Sequence, residues 1–413
     1  MNVSIEEAQA RLMEASVKLG IQKKKITDCL GAVLTEDIVA TVTQPPFSRS
    51  AMDGYALHAA DVESANRDRP VRLPVRGTIY AGDSLPERLA RGMAVRIMTG
   101  APIPEGANLV IPQEATDCGE QEVAFYESGK AGENCCPAGE DFRLGEILAK
   151  RGNPVDPYTM AAAAAGGVRE VCVRERIRAA VITTGNELVP VDEELPTGKI
   201  YNSSLVYFVG RLSELGCEVV SAVTVSDKEE EIAGAIRNAA AVADLILTTG
   251  GVSVGRRDYL PEVIRRLGAT VLFRGLSIKP GTPTMAASFE GRTILCLSGN
   301  PYSAIAMFEI LYPAYEKKAQ GRNRMRLGRS RGVMGNTFPK SSPSRRLVRG
   351  IRKGNDVFVP EMQGNGQLLA GVGSNCLVDI PAGSDPVMQG EEVELFVLTG
   401  IIMMNTYDRG REV

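Results

Sequence analysis

The feature that most constrains this chain lies between Ile177 and about Tyr315, where apolar segments alternate with helical ones and end in glycine. Residues 179–184 (Ala-Ala-Val-Ile-Thr-Thr) run without interruption into Gly185. Residues 203–215 have helical spacing, 219–225 are strand-like, and 228–241 are helical again. Residues 245–249 end in Gly250-Gly251, and 294–297 end in Ser298-Gly299-Asn300-Pro301 before a helix reaching about Tyr315. A strand apolar at consecutive positions must be covered on both faces, and the intervening helices supply the cover. The pattern therefore predicts an α/β unit with a parallel sheet. Ligands of such sheets bind beyond the carboxyl ends of the strands. Three of these ends carry glycine, hydroxyl and acidic groups, which is where a ligand is expected.

The flanks differ. Ser4 followed by Glu7 reads as a capping box, opening a helix through Ala8, Leu12, Ala15 and Leu19 that ends near Gly20. From about Pro45 to Gly145, short β-like runs (71–80, 94–98 and 122–126) are separated by Gly and Pro, predicting a mostly β domain. A helix follows near 158–165. Beyond Gly321, residues 347–351 and 357–359 flank Lys353-Gly354-Asn355-Asp356 as a hairpin, and 391–398 reads as a final strand. The fold class is thus multidomain, α/β plus β.

Composition excludes several chemistries. The single histidine, His58, rules out His-pair and His-triad mechanisms unless it acts alone. Eight cysteines contain no Cys-x-x-Cys, so a zinc ribbon or thioredoxin-type site is not expected. The vicinal Cys135-Cys136 reads as two thiols in a Gly/Pro-rich loop, with a redox pair as the alternative. Metal chemistry then falls to carboxylates, which favours Mg²⁺. A net charge of −3 argues against a nucleic-acid partner. The longest apolar stretch, around 160–168, is too short to span a membrane, which takes about 18 residues or more. The N-terminus has no secretion signal, so a cytoplasmic location with reduced thiols is expected. Between Lys317 and Lys353 there are 13 Lys/Arg and no Asp/Glu. That segment is either a solvated face or, through Arg345 or Arg349, part of an anionic ligand's cleft.

Five motifs stand in order. They are Ser50-Ala51-Met52-Asp53-Gly54-Tyr55; Thr183-Thr184-Gly185-Asn186-Glu187; Thr248-Thr249-Gly250-Gly251-Val252-Ser253-Val254-Gly255 with Asp258; Lys279-Pro280-Gly281-Thr282-Pro283; and Ser298-Gly299-Asn300-Pro301. Glycines after a strand let backbone N–H groups approach an anion. The spacing is neither a P-loop nor Gly-x-Gly-x-x-Gly. Asp227 and Asp258 could each cap a following helix, and Glu187 and Lys279 could be solvated side chains.

Together with Arg96-Ile97-Met98-Thr99-Gly100-Ala101-Pro102-Ile103-Pro104 and Gly139-Glu140-Asp141, these motifs resemble the MoeA family of molybdopterin molybdenumtransferases, which includes the gephyrin E-domain. The resemblance covers essentially the whole chain. It implies four parts: a helical N-terminal region (1–44 and 146–176), an inserted β domain (45–145), a molybdopterin-binding α/β domain (177–325) and a C-terminal β barrel (326–413). It also implies a homodimer whose cleft is shared between subunits. The implied reaction joins adenylylated molybdopterin and molybdate, releasing AMP and molybdenum cofactor, with Mg²⁺ as cofactor. Glu187, Asp227 and Asp258 are then the expected metal ligands. Asp53, Thr99 and Asp141 would reach in from the partner's β domain, and Lys279 would meet the anionic substrate. Gly250, Gly251, Ser253, Gly255, Ser298, Gly299, Asn300, Pro301 and Arg349 would complete the substrate site. Other cofactor-biosynthesis proteins are possible partners. Relatives usually carry Asp at Asn186, many carry Lys at Thr282 and some at Gly275, while Tyr302 stands where a small apolar residue is common. The alternatives are a non-catalytic molybdopterin-binding scaffold, an enzyme that adenylylates molybdopterin, and a tungsten-inserting variant.

Overall fold

The computed structural model describes residues 2–252 and 259–398. Its centre is a six-stranded sheet in the order Glu218–Val225, Arg178–Thr184, Leu245–Thr249, Arg292–Leu297, Met285–Phe289, Thr270–Arg274. The first four are parallel, with Thr183, Thr249 and Leu297 in register across the ligand-facing edge. The last two are antiparallel, so the sheet is mixed where an all-parallel one was expected. Only Glu290 and Gly291, both at positive φ, separate Met285–Phe289 from Arg292–Leu297. A two-residue loop of that kind can only return the chain antiparallel.

Among the described residues, six α-helices surround this sheet and its flanks: α1 (Ile5–Glu14), α2 (Pro157–Ala165), α3 (Ser203–Glu214), α4 (Glu229–Val242), α5 (Leu260–Arg266) and α6 (Pro301–Gln320). Side chains alternate along each strand, so neighbouring residues enter different cores. Ala179, Val181, Leu247 and Leu295 join α1, α3 and α6 on one face. Ala180, Ile182, Ile246 and Ile294 join α4 and α5 on the other. The consecutive apolar run read from the sequence is the signature of this double burial. α6 is buried on nearly every side, and it continues through Pro313 to Gln320, five residues past the expected end, before a left-handed Gly321 (φ +67°). A buried helix tolerates the lost proline N–H bond, worth about 3 kcal/mol, when packing holds both ends.

Ser4 caps α1 by accepting the Glu7 N–H at 3.0 Å. The Glu7 carboxylate pairs with Arg11 at 2.5 Å instead of returning to Ser4. α1 stops at Glu14 because Ile21–Lys25 is drawn into an antiparallel pair with Glu170–Arg174. That pair, α2 and residues 26–39 share a small core around Ile26, Cys29, Leu34 and Val173. The chain leaves this region and returns to it beside the Gln44–Phe142 bridge. Between them lies a five-stranded sheet in the order Leu109–Pro112, Gly54–Leu57, Ala94–Ile97, Val71–Ile79, Glu122–Phe125, with its own two cores. Among the described residues, none of its hydrogen bonds reaches residues 177–325. Cys135–Cys136 is a short strand paired with Arg49–Ser50, not a loop, and all eight cysteines are free thiols.

The C-terminal part is a closed five-stranded barrel of Gly328–Met334, Asp356–Phe358, Arg346–Lys353, Cys376–Ile380 and Glu392–Val397. The expected hairpin is present, with Ile351 opposite Phe358. Much of the basic segment is neutralised by acids from elsewhere. Arg322 and Arg326 meet buried Glu316, Arg329 and Arg345 meet Glu6, and Arg331 meets Glu392 and Glu394. No described helix is long and apolar enough to cross a membrane.

Candidate functional site

The carboxyl ends of the three parallel strands at 178–184, 245–249 and 292–297 form a continuous glycine-lined edge. Gly250 has φ +93°, and a Cβ there would lie 2.5 Å from the Thr184 carbonyl oxygen and 2.6 Å from its hydroxyl. Gly251 is also left-handed, at φ +61°. A Cβ on Gly299 would meet only Gly250, at 3.4 Å. Glycine at 250 thus lets adjacent strand ends close up, leaving backbone as the surface. The Thr184 hydroxyl is buried there with no hydrogen-bond partner among the described residues. An unpaired buried hydroxyl is costly, so it marks a place where a polar ligand or water completes the structure.

Asp227 stands one strand over, just past Val225, and is half-buried. It does not cap α4, whose N-cap is Lys228 with no side-chain bond. Instead Asp227 and Asn186 are joined reciprocally: the Asn186 N–H donates to Asp227 Oδ2 at 3.3 Å, and the Asp227 N–H donates to Asn186 Oδ1 at 3.2 Å. Asn186 therefore holds the acid on the strand-end edge. Glu187 is exposed, its carboxylate 2.8 Å from where a Gly185 Cβ would lie. The carboxylates of Glu187 and Asp227 thus lie at neighbouring strand ends, and among the described residues no group of three or more His, Cys, Asp or Glu is placed to hold a metal ion. Ser253, Gly255 and Asp258, assigned to the same edge from the sequence, lie outside the described residues.

Beside this edge a cleft of about 370 Å³ opens between the α/β sheet and the barrel. Lys279, Thr282, Ser298 and Asn300 line one side, and Arg346, Gln363 and Asn365 the other. Among the described residues its lining holds two cations and no carboxylate. The loop carrying Lys279 is fastened to the barrel strand by backbone bonds: the Lys279 N–H donates to Arg345 O at 2.9 Å, and the Leu347 N–H to Lys279 O at 2.8 Å. Lys279 and Arg346 are thereby set on adjacent, hydrogen-bonded chains. Asn300 precedes α6, and the Asn300 N–H turns back to the Ser298 hydroxyl at 3.2 Å. Pro301 opens the helix, where its missing N–H costs nothing.

Arg346 is the cleft cation that sequence reasoning missed, since attention fell on Arg345 and Arg349. Arg345 is tied to Asp379 at 2.7 and 2.8 Å and to Glu6. Arg349, expected to touch substrate, is 2% exposed. Its guanidinium donates to the carbonyls of Gln367 and Gly364 and stacks on Tyr302 at 3.6 Å. These contacts replace the expected direct one. Thr282 donates its hydroxyl to Ile278 O at 2.6 Å.

In the β domain, Asp53 and Thr99 come together. The Thr99 hydroxyl and backbone N–H both donate to Asp53 Oδ1, each at 2.7 Å. These bonds hold the Asp53 carboxyl below the usual aspartate value. The Ser50 hydroxyl donates to Met52 O at 2.6 Å and fixes the turn. Asp141 is exposed, its N–H bonded to Gln44 O, and among the described residues no hydrogen bond joins it to Asp53. This cluster is separate from the strand-end edge within one chain.

Comparison with known proteins covers almost the full length. Residues 3–167 match the MoeA N-terminal region (domain I and II), 180–317 a probable molybdopterin binding domain, and 331–398 the MoeA C-terminal region (domain IV). A Staphylococcus epidermidis protein named molybdopterin molybdenumtransferase is 31% identical over 399 residues, 96% of this chain and 95% of that one. A Staphylococcus aureus protein of the same name is equally similar, at 31% over 399 residues. The crystal structure of a molybdopterin biosynthesis MoeA protein from Pyrococcus horikoshii superposes with a TM-score of 0.82 at 29% identity, covering 96% of this chain and 99% of that one.

Proposed function

The chain belongs to the molybdopterin molybdenumtransferase (MoeA) family, and from that premise we propose how its own residues divide the work. It is a transferase that inserts molybdenum into molybdopterin during molybdenum cofactor biosynthesis. The substrates in this reading are molybdate and adenylylated molybdopterin, and AMP leaves with cleavage of the phosphoanhydride.

The observation that carries the division is the cleft beside the glycine-lined strand ends, in which Lys279 and Arg346 meet no carboxylate among the described lining residues. Two cations held on adjacent, hydrogen-bonded chains attract a dianionic oxyanion, the more strongly where the cleft wall excludes water. Molybdate is therefore assigned to the cleft. The pterin and its phosphates are assigned to the edge of Gly250, Gly251, Ser298, Gly299, Asn300 and Pro301, where backbone can approach closely. Ser253 and Gly255 belong to the same assignment by sequence. Bound Mg²⁺ would offset the pyrophosphate's charge, with Asp227 and Glu187 as its ligands and Asp258 as a third by sequence. Asn186 orients Asp227 for that role.

Asp53, Thr99 and Asp141 are assigned to a site completed by a second copy. Two features support a dimer. These residues are separate from their own chain's strand-end edge. Cross-strand neighbours Val39 and Ile147, with Val42 and Leu144 nearby, also leave an exposed apolar surface where the β domain meets the N-terminal region. Lys279→Ala and Arg346→Ala, each measured for the KM of molybdate and of adenylylated molybdopterin, test the division. It requires a rise in the molybdate KM with the pterin KM nearly unchanged. The reverse pattern would place molybdate elsewhere.

A further inference from the structure

Lys199 ends a loop, residues 190–198, that holds three acids, Asp192, Glu193 and Glu194. Its ammonium pairs with none of them, and among the described residues no carboxylate pairs with it. The side chain turns the other way, and Nζ donates to the Asn186 carbonyl oxygen. The charge is thus carried off the acidic loop and onto the strand-end edge.

The backbone fixes this placement. Ile200–Tyr201 pairs in parallel with Leu188–Val189, and the Ile200 N–H donates to Glu187 O at 2.9 Å. Asn202, 5% exposed, donates through Nδ2 to the hydroxyls of Thr183 and Thr224 at 2.7 and 2.9 Å. Its Oδ1 accepts the Leu205 N–H and caps α3. The segment that carries Lys199 is therefore fastened across two strand ends. Asn186 is the shared contact: its N–H and Oδ1 bind Asp227, and its carbonyl binds Lys199. An ammonium and a carboxylate are so held on one residue without pairing. An ammonium has three donors, and the described contact uses one.

The order of the strands decides which part of a ligand meets this cation. Ser298 follows Arg292–Leu297, Gly250 follows Leu245–Thr249, Asn186 lies past Arg178–Thr184 and Asp227 past Glu218–Val225, and the strands stand in that spatial order. A substrate laid along the edge with its pterin at Ser298 carries its other end to Lys199. We propose that Lys199 binds the AMP-side phosphate of adenylylated molybdopterin and is a specificity contact for the adenylylated form. This rests on the reading that lays the pterin and its phosphates along the strand ends. Glu187 and Asp227 serve a bound Mg²⁺ in that reading. Lys199 adds a fixed positive charge to the same phosphoanhydride, through the donors that Asn186 leaves unused.

The test uses the full-length protein at fixed Mg²⁺. Direct binding is measured for adenylylated molybdopterin, for molybdopterin without the adenylyl group, and for AMP. Lys199→Met removes the charge at nearly constant length, Lys199→Gln keeps a donor without the charge, and Lys199→Arg keeps the charge. The two neutral variants bind adenylylated molybdopterin and AMP about tenfold more weakly, the worth of one charge-assisted hydrogen bond, and bind unadenylylated molybdopterin within about twofold of wild type. Lys199→Arg recovers most of the loss. The side chain is exposed, so thermal melts stay close to wild type. Should one neutral variant not fold, the other carries the test. Unaltered binding of the adenylylated form by a folded neutral variant would overturn the proposal, as would an equal loss for both pterins. A wild-type protein that binds neither pterin would instead overturn the strand-end reading, and this proposal with it.

Discussion

Gly250→Ala is the perturbation whose cost the geometry fixes most closely. The residue sits at φ +93°, where an L side chain costs about 1–2 kcal/mol. The new methyl would also lie 2.5 Å from the Thr184 carbonyl oxygen and 2.6 Å from its hydroxyl. The carbonyl belongs to the neighbouring strand end and cannot swing aside, so the sheet edge must open, an overpacking cost of about 1–3 kcal/mol. The sum, about 2–5 kcal/mol, would lower the thermal midpoint of a unit this size by roughly 5–15 °C. Gly299→Ala is the internal control. A Cβ there meets only Gly250 at 3.4 Å, an ordinary contact, and the change should cost under about 0.5 kcal/mol. Both variants should bind molybdopterin more weakly, because each puts a methyl where backbone now forms the surface. Thermal melts monitored by circular dichroism, with molybdopterin binding on the same samples, separate the two. Equal stability of the two variants would refute the close-approach reasoning. Unimpaired pterin binding by Gly299→Ala would remove position 299 from the pterin's path.

Three further outcomes follow from the site. Thr99→Val removes the hydroxyl bond that most lowers the Asp53 pKa, so the Asp53 carboxyl should titrate at higher pH by NMR. Because a depressed folded-state pKa stabilises above the unfolded value and is lost as pH falls through the folded one, the variant should lose this small contribution already at a higher pH, on the acid side only. Asn186→Asp keeps both bonds to Asp227, because its backbone N–H still donates and a carboxylate oxygen still accepts, but it sets a second carboxylate beside that acid, so without Mg²⁺ it should lose about 1 kcal/mol by like-charge repulsion where both acids are ionised, and Mg²⁺ should restore it. Urea unfolding with and without Mg²⁺ reads this, and a Mg²⁺-independent loss would contradict the cation assignment. Thr282→Lys adds a cation to the cleft lining and should lower the molybdate KM about two- to tenfold, most clearly at low salt; an unchanged KM would show that position 282 does not face the anion.

The α/β unit was legible because its strands are apolar at successive residues, a pattern that only burial on both faces explains. The strand ends at Gly185, Gly250 and Ser298 were legible for the same reason, as polar and glycine residues following an apolar run. The antiparallel edge was not: residues 270–274 and 285–289 are short runs without an intervening helical period, and Glu290 gives no hint of a left-handed turn. The cleft's cations show another limit. Arg346 and Arg349 are three apart on one strand, so they point to opposite faces. Sequence offers no way to tell which face meets the cleft, because the barrel's seating on the Lys279 loop decides it. The pairing of Asn186 with Asp227 was likewise hidden, since it joins two strand ends 41 residues apart. The role of Asp227 as something other than a helix cap appeared only when Lys228 proved to be the N-cap.

The most direct test of the functional account is AMP release from adenylylated molybdopterin by the purified protein with Mg²⁺, run with molybdate, with tungstate and with neither. The account predicts release that depends on the oxyanion, with the pterin product carrying the metal, and its loss in Asp227→Ala. Tight pterin binding with no AMP release under any oxyanion would contradict it.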